Sequence, residues 1–297
     1  MMRSIAPRTF RLAATLALLF PAAASAADLV ARKGQPPAPP PITAPAWDVA
    51  FGFKAVSDYN FRGISQTARK PGVQGYAELS YGWLYAGVTG ASVDLATKPL
   101  MEVDFTYGLR PKFGPVTADI GMVHYYYPGE KRLFDTTGAF WTPKNTDFYE
   151  IAGKFSYNWE DKVIVGANVF HAPNWLGSGA TGTYYSGTLK VVPPLPIEGL
   201  ALSGEFGRYV LGTTSASLGS IKLKDYNYWN AGLAYTYKQA TLDLRYHDTD
   251  LKKTDCFNLT ADPVGIQNGT GRSKWCGAAF VATLSFDFTA SGLGLIK

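Results

Sequence analysis

Long apolar runs are missing from this sequence. Beyond the first 26 residues nothing approaches the roughly 18 to 20 consecutive apolar residues that a membrane-spanning helix needs, so a helical membrane protein is excluded. Cysteine is almost absent. Cys256 and Cys276 stand alone, with neither CxxC nor zinc-ligand spacing, which removes the common zinc folds. Histidine is limited to His124, His171 and His247, and neither an HExxH nor a Walker A pattern occurs. "GSGATG" at 177 to 182 matches the GxGxxG string, but it falls in a long connection and opens no helix, so dinucleotide binding is not implied. A strong charge is lacking too. The formal net charge is +5, and Arg3, Arg8 and Arg11 lie in a leader-like segment, which leaves +2 and no nucleic-acid footprint. No cofactor is called for.

What is present begins with export. The three early arginines, the apolar run "AATLALLF", Pro21 and the small-residue site Ala24-Ser25-Ala26 read as a secretory signal over residues 1–26. Residues 27–46 follow as a proline-rich periplasmic tether, because "QPPAPPPITAP" permits neither helix nor sheet interior. In an exported chain the two cysteines are expected to pair, closing one polar stretch as a Cys256–Cys276 disulfide.

From Trp47 onward the pattern is one of short aromatic segments with period two, separated by turns. Twelve strands are expected, near 47–62, 72–81, 84–93, 100–110, 115–127, 146–157, 162–172, 182–192, 199–211, 225–237, 239–248 and 277–288. Their connections alternate between short and long. An all-β, antiparallel up-and-down transmembrane β-barrel predicts this, with brief periplasmic turns on one rim and long external loops on the other. The barrel is expected over 47–288, followed by a C-terminal overhang of 289–297.

Alternation sorts the faces. In the last strand Phe280, Ala282, Leu284, Phe286 and Phe288 share the apolar face, while Thr283, Ser285 and Asp287 share the other. The same reading sends Lys54, Asp58, Asn60, Arg62, Glu78, Glu102, Asp104, Glu150, Lys154, Glu205, Asp243, Arg245 and Asp287 to the lumen as pore-lining residues. It extends the first strand through "SDYNFRGISQT", with Tyr59 and Phe61 in an outer aromatic girdle. Acids outnumber bases on this inner face, which points to a mild preference for cations.

The segments "VSDYNFRGISQT", "KPGVQGYAELSYG", "LYAGVTGASVD", "EVDFTYGLRPKFG", "ADIGMVHYYYPGE" and "DFYEIAGKFSY" resemble the TorF family of porins, over most of residues 50–245. That resemblance implies an outer-membrane barrel of Gram-negative bacteria with a porin role. The proline-rich tether, the two-cysteine loop and "TASGLGLIK" after Phe288 depart from its pattern.

Together these observations predict a porin passing small hydrophilic solutes or ions through a narrow lumen, in contact with outer-membrane lipid and lipopolysaccharide. The alternative is a non-conducting surface barrel, an adhesin or structural envelope protein. A barrel-embedded hydrolase ranks lower, because no serine can be assigned to His247 by spacing and geometry makes a triad.

Overall fold

The computed structural model describes residues 47–133 and 142–296; the expected signal segment, the expected proline-rich tether and part of the third long loop lie outside them. Twelve strands make the wall: β1 (Trp47–Val56), β2 (Gly72–Tyr81), β3 (Leu84–Ala91), β4 (Glu102–Leu109), β5 (Val116–Tyr126), β6 (Phe148–Trp159), β7 (Val163–Ala172), β8 (Gly182–Val191), β9 (Leu200–Leu211), β10 (Tyr226–Tyr237), β11 (Ala240–Thr249) and β12 (Ala279–Thr289). Each pairs antiparallel with its sequence neighbour, and β1 closes the ring on β12 with Phe53 opposite Phe286. Closure leaves no unpaired sheet edge, which suits strands whose outer face is apolar.

The side-chain alternation has a simple physical origin. Successive residues of a strand point to opposite faces, so a two-residue repeat of apolar and polar groups fixes which face turns outward. Phe53, Leu79, Phe105, Ile120, Ile151, Leu244 and Leu284 are exposed on the outside. Trp47, Tyr81, Trp83, Trp159 and Tyr237 crowd the rim that carries the short turns. Inside, Glu78, Asp104, Glu150, Tyr125 and Tyr184 are buried.

One expectation changes at the loops, and two further features appear there. β1 stops at Val56 instead of running to Arg62, and residues after a bend form a separate two-stranded hairpin, Asn60–Phe61 against Ile64–Ser65. The loop after β11 contains two helices, α1 (Lys253–Thr260) and α2 (Pro263–Gln267), too short to give a periodicity signal in sequence. α2 is started by Pro263 and by the Asp262 carboxylate, which accepts from the Val264 amide at 2.9 Å. The chain after Phe288 continues as strand for one residue, then turns back on β1: the Ala290 amide donates to the Val49 carbonyl at 2.8 Å, and the Ser291 amide to Asp48 at 3.0 Å.

Candidate functional site: a hairpin plug in the barrel

The hairpin enters the lumen because its turn is tight and its root is tied down. Arg62 and Gly63 both adopt positive φ, 48° and 86°, as a type I′ turn requires at its two central residues. Glycine is needed at the second of these. A Cβ on Gly63 would lie 2.1 Å from Thr249 Cγ2, so the turn packs directly on the long-loop end of β11. Asn60 supports the turn by accepting from the Gly63 amide at 2.9 Å. At the root, the buried Asp58 carboxylate accepts from Ser65 Oγ, from Thr67 Oγ1 at 3.0 Å and from Arg69 Nη1 at 3.2 Å.

The side chain at the tip is the centre of the site. Arg62 is only 1% exposed, and its guanidinium makes a forked ion pair with Glu150, Nη1 to Oε1 at 2.6 Å and Nη2 to Oε2 at 2.8 Å. Phe170 and Tyr184 place their rings 4.6 and 4.5 Å from its Cζ, with Tyr209 at 5.1 Å and the hairpin's own Phe61 at 4.7 Å. Such faces attract a cation through the negative face of the ring quadrupole. Phe170, Tyr184, Tyr209 and Tyr226 are cross-strand neighbours in register on β7 to β10, so they form one row of rings around the inner wall. Tyr184 reaches its place over Gly207, where a Cβ would stand 2.2 Å from its hydroxyl.

Hydroxyls complete the cage. Tyr125 and Tyr209 donate to Glu150 at 3.1 and 3.2 Å, and Tyr226 donates to the Arg62 carbonyl at 3.1 Å. Burial disfavours the Arg62 charge, but the Glu150 carboxylate more than offsets this, and the guanidinium pKa is raised above its ordinary value. The guanidinium therefore keeps its charge.

The structure places each predicted lumen residue as follows. Asp58, Asn60 and Arg62 lie inside the barrel, in the plug and not in its wall. Tyr59 and Phe61, expected toward lipid, are also inside: Tyr59 donates to Glu102 at 2.7 Å, and Phe61 meets Tyr125 edge-on at 5.9 Å. The chain leaves the strand at Val56, so the strand's two-residue period no longer governs them. Glu102 also accepts from Tyr127 at 2.9 Å, while Asp104, one inward position further along β4, is buried with no hydrogen-bond partner on either oxygen among the described residues. Toward the short-turn rim, Glu78 and Asp119 share Arg110, at 2.8 and 3.0 Å, and Lys154 joins Asp119 at 3.2 Å. Arg245 binds Asp243 at 2.8 Å, Asn230 at 2.6 Å and Ser203 at 2.7 Å. Glu205 accepts from Tyr184 at 2.8 Å and Asp287 from Tyr76 at 3.0 Å, and Lys54 is half-buried on the inner face of β1. His247 meets the Tyr228 hydroxyl at 2.8 Å through Nδ1.

Residues 43–269 match the family described as "Bacterial protein of unknown function (Gcw_chp)". The chain belongs to this family. Among curated proteins none matches it. Solved structures with a similar fold include the KdgM porin, at TM-score 0.47 and 6% identity over 80% of this chain and 99% of that one. The COG4313 outer membrane channel from Pseudomonas putida F1 gives 0.44 and 10%, over 82% and 95%. The outer membrane protein opdK from Pseudomonas aeruginosa gives 0.39 and 14%, over 83% and 67%. Likeness at this level carries neither solute nor partner over to the Gcw_chp chain.

One feature of this Gcw_chp barrel escapes a reading by alternation alone. Arg110 sits one residue past β4, at the junction with a turn, where strand periodicity gives no direction. The ring row was legible in principle. Adjacent aromatics such as Tyr184-Tyr185 and Tyr125-Tyr126 cannot both face outward in a strand, so one of each pair must point inward.

The disulfide-bonded loop holds the plug from above. Cys256 and Cys276 are joined, Ile64 bridges Cys276 in antiparallel fashion, and the Ser65 amide donates to the Trp275 carbonyl at 2.8 Å. Arg69 adds bonds to the carbonyls of Lys274 and Gly277 at 3.1 and 3.0 Å. Between the plug and the long loops lies a cavity of about 400 Å³, walled by Phe61, Ile64, Leu95, Trp175, Leu223 and Leu259 among others.

Proposed function

We propose that this chain is a narrow outer-membrane porin of the kind the TorF resemblance suggests, closed in this conformation by the 57–71 loop. One observation carries the reading: a closed twelve-stranded barrel that is apolar and girdled with aromatic rings outside, and lined with charge and tyrosine hydroxyls inside. An outer face of this kind is matched to hydrocarbon, and the signal-like leader supplies the route to it. The short-turn rim, carrying both ends of the barrel, lies in the periplasm, and the long loops face outward beside lipopolysaccharide.

The passage favours small hydrophilic cations. Glu102, Asp104, Glu205 and Asp287 stand on the inner face without a salt bridge among the described residues, whereas the inner-face Arg62, Arg110, Lys154 and Arg245 are each matched to a carboxylate, so that Lys54, near Asp104 and Asp287, offsets only part of the acidic excess. Rings of one sign set ion selectivity in pores of this size. Under a potassium chloride gradient across a planar bilayer, the reversal potential of the open state is expected to have the sign of a cation-selective pore; an anion-selective sign would refute the preference. A second reading, a barrel that never conducts and serves the envelope structurally, is favoured by the burial of the Arg62–Glu150 pair in the lumen. Single-channel steps separate the two.

A further inference from the structure

The pocket that Arg62 fills is built as a cation site independently of the plug. Its walls are contributed by five consecutive barrel strands: Tyr125 on β5, Glu150 on β6, Phe170 on β7, Tyr184 on β8 and Tyr209 on β9. Glu150 is fully buried and presents both oxygens to a planar fork of N–H donors, while three rings of the wall lie within 5.1 Å of the guanidinium carbon. A second carboxylate, Asp104, stands 1% exposed on the same inner wall, opposite Tyr125 in register, with no hydrogen-bond donor among the described residues directed at either oxygen.

We propose that this cage is the recognition site of the passage for guanidinium-bearing solutes, and that Arg62 is their tethered mimic. The inference rests on the porin reading. Its physical basis is that a buried carboxylate cannot be left unpaired cheaply: removing one partner of a buried ion pair is strongly destabilising, because the remaining charge is left desolvated and uncompensated. Withdrawal of the hairpin therefore requires either water or another cation at Glu150. A free guanidinium group fits the vacated geometry best, because it is planar, offers two parallel N–H bonds to a carboxylate and stacks on aromatic faces, whereas an ammonium does so only as a point charge. Solute entry and plug release are thus one exchange at one carboxylate. Asp104 and Glu102 provide the next negative groups in the inner wall.

Guanidinium chloride, at low-millimolar concentrations far below those that denature, is the probe. The Arg62→Ala barrel, folded in detergent, is titrated by calorimetry against the chlorides of guanidinium, tetramethylammonium and sodium at equal ionic strength. Saturable guanidinium binding is expected, with an apparent affinity about tenfold or more above that of tetramethylammonium, as forked hydrogen bonding to a carboxylate demands. Wild type, in which Arg62 competes for the same carboxylate, should bind guanidinium far more weakly than Arg62→Ala, and Arg62→Ala/Glu150→Gln should show no binding. The same titration on Arg62→Met guards against a folding defect of the alanine variant. In parallel, guanidinium should lower the single-channel current of Arg62→Ala. Equal responses to guanidinium and sodium, or binding that survives Glu150→Gln, overturn the site. Conduction without guanidinium binding removes the site and leaves the porin; binding without any conduction keeps the site and removes the porin.

Discussion

Arg62→Ala should turn a barrel that seldom conducts into one that is open most of the time. The substitution removes a forked, buried ion pair with Glu150 and the ring contacts of Phe170, Tyr184 and Tyr209. In the docked state Glu150 then lies buried without its partner, which costs about 3–5 kcal/mol. At about 1.4 kcal/mol per tenfold, the docked-to-undocked ratio of the hairpin falls by two to more than three powers of ten. The wall itself should be little affected, since its strand ladders do not involve residue 62. Single-channel recording and solute-swelling of proteoliposomes read the effect. Wild-type behaviour from well-folded Arg62→Ala would mean that Arg62 braces a permanently filled lumen.

The second large effect comes from the loop above. Cys256→Ser/Cys276→Ser, or reduction of the native bond, should loosen the plug without dismantling the barrel. The disulfide closes a segment with a sequence separation of 20. Cross-links of that length contribute about 3 kcal/mol in the chain-entropy account. The segment it orders carries the Trp275, Lys274 and Gly277 carbonyls that hold Ser65 and Arg69, and the Ile64 to Cys276 bridge. If half of the stabilisation reaches the hairpin, docking weakens about tenfold. Open probability is expected to rise, and amide exchange of residues 60–65 to accelerate by a similar factor. Unchanged exchange after reduction would show that the hairpin is held from the lumen alone.

The barrel was legible because its signal is repeated. Ten or more segments carry the same two-residue period, and the alternation of short and long connections is a second, independent cue to an up-and-down topology. The disulfide was legible from export and from an even cysteine count. The plug was not, and the cause is specific. In "SDYNFRGISQT" the period continues unbroken on paper, so alternation extends β1 into the hairpin and sends Tyr59 and Phe61 toward lipid. The competing cue was the Arg62-Gly63 pair between Phe61 and Ile64, a two-residue hairpin signal whose first residue is seldom arginine. Arginine tolerates the left-handed turn here because its head is secured by Glu150 and its carbonyl by Tyr226. Those partners lie 88 and 164 residues away, beyond the reach of any local pattern.

Closure of a conducting lumen by the 57–71 loop, as proposed above, is an event with a direct electrical readout. It is tested most directly by single-channel recording of a barrel in which residues 59–66 are replaced by a short glycine-serine link, compared with wild type folded in the same detergent. The account predicts frequent, uniform conductance steps from the shortened barrel and rare ones from wild type. A shortened barrel that folds, resists heat as wild type does and passes no current would contradict it.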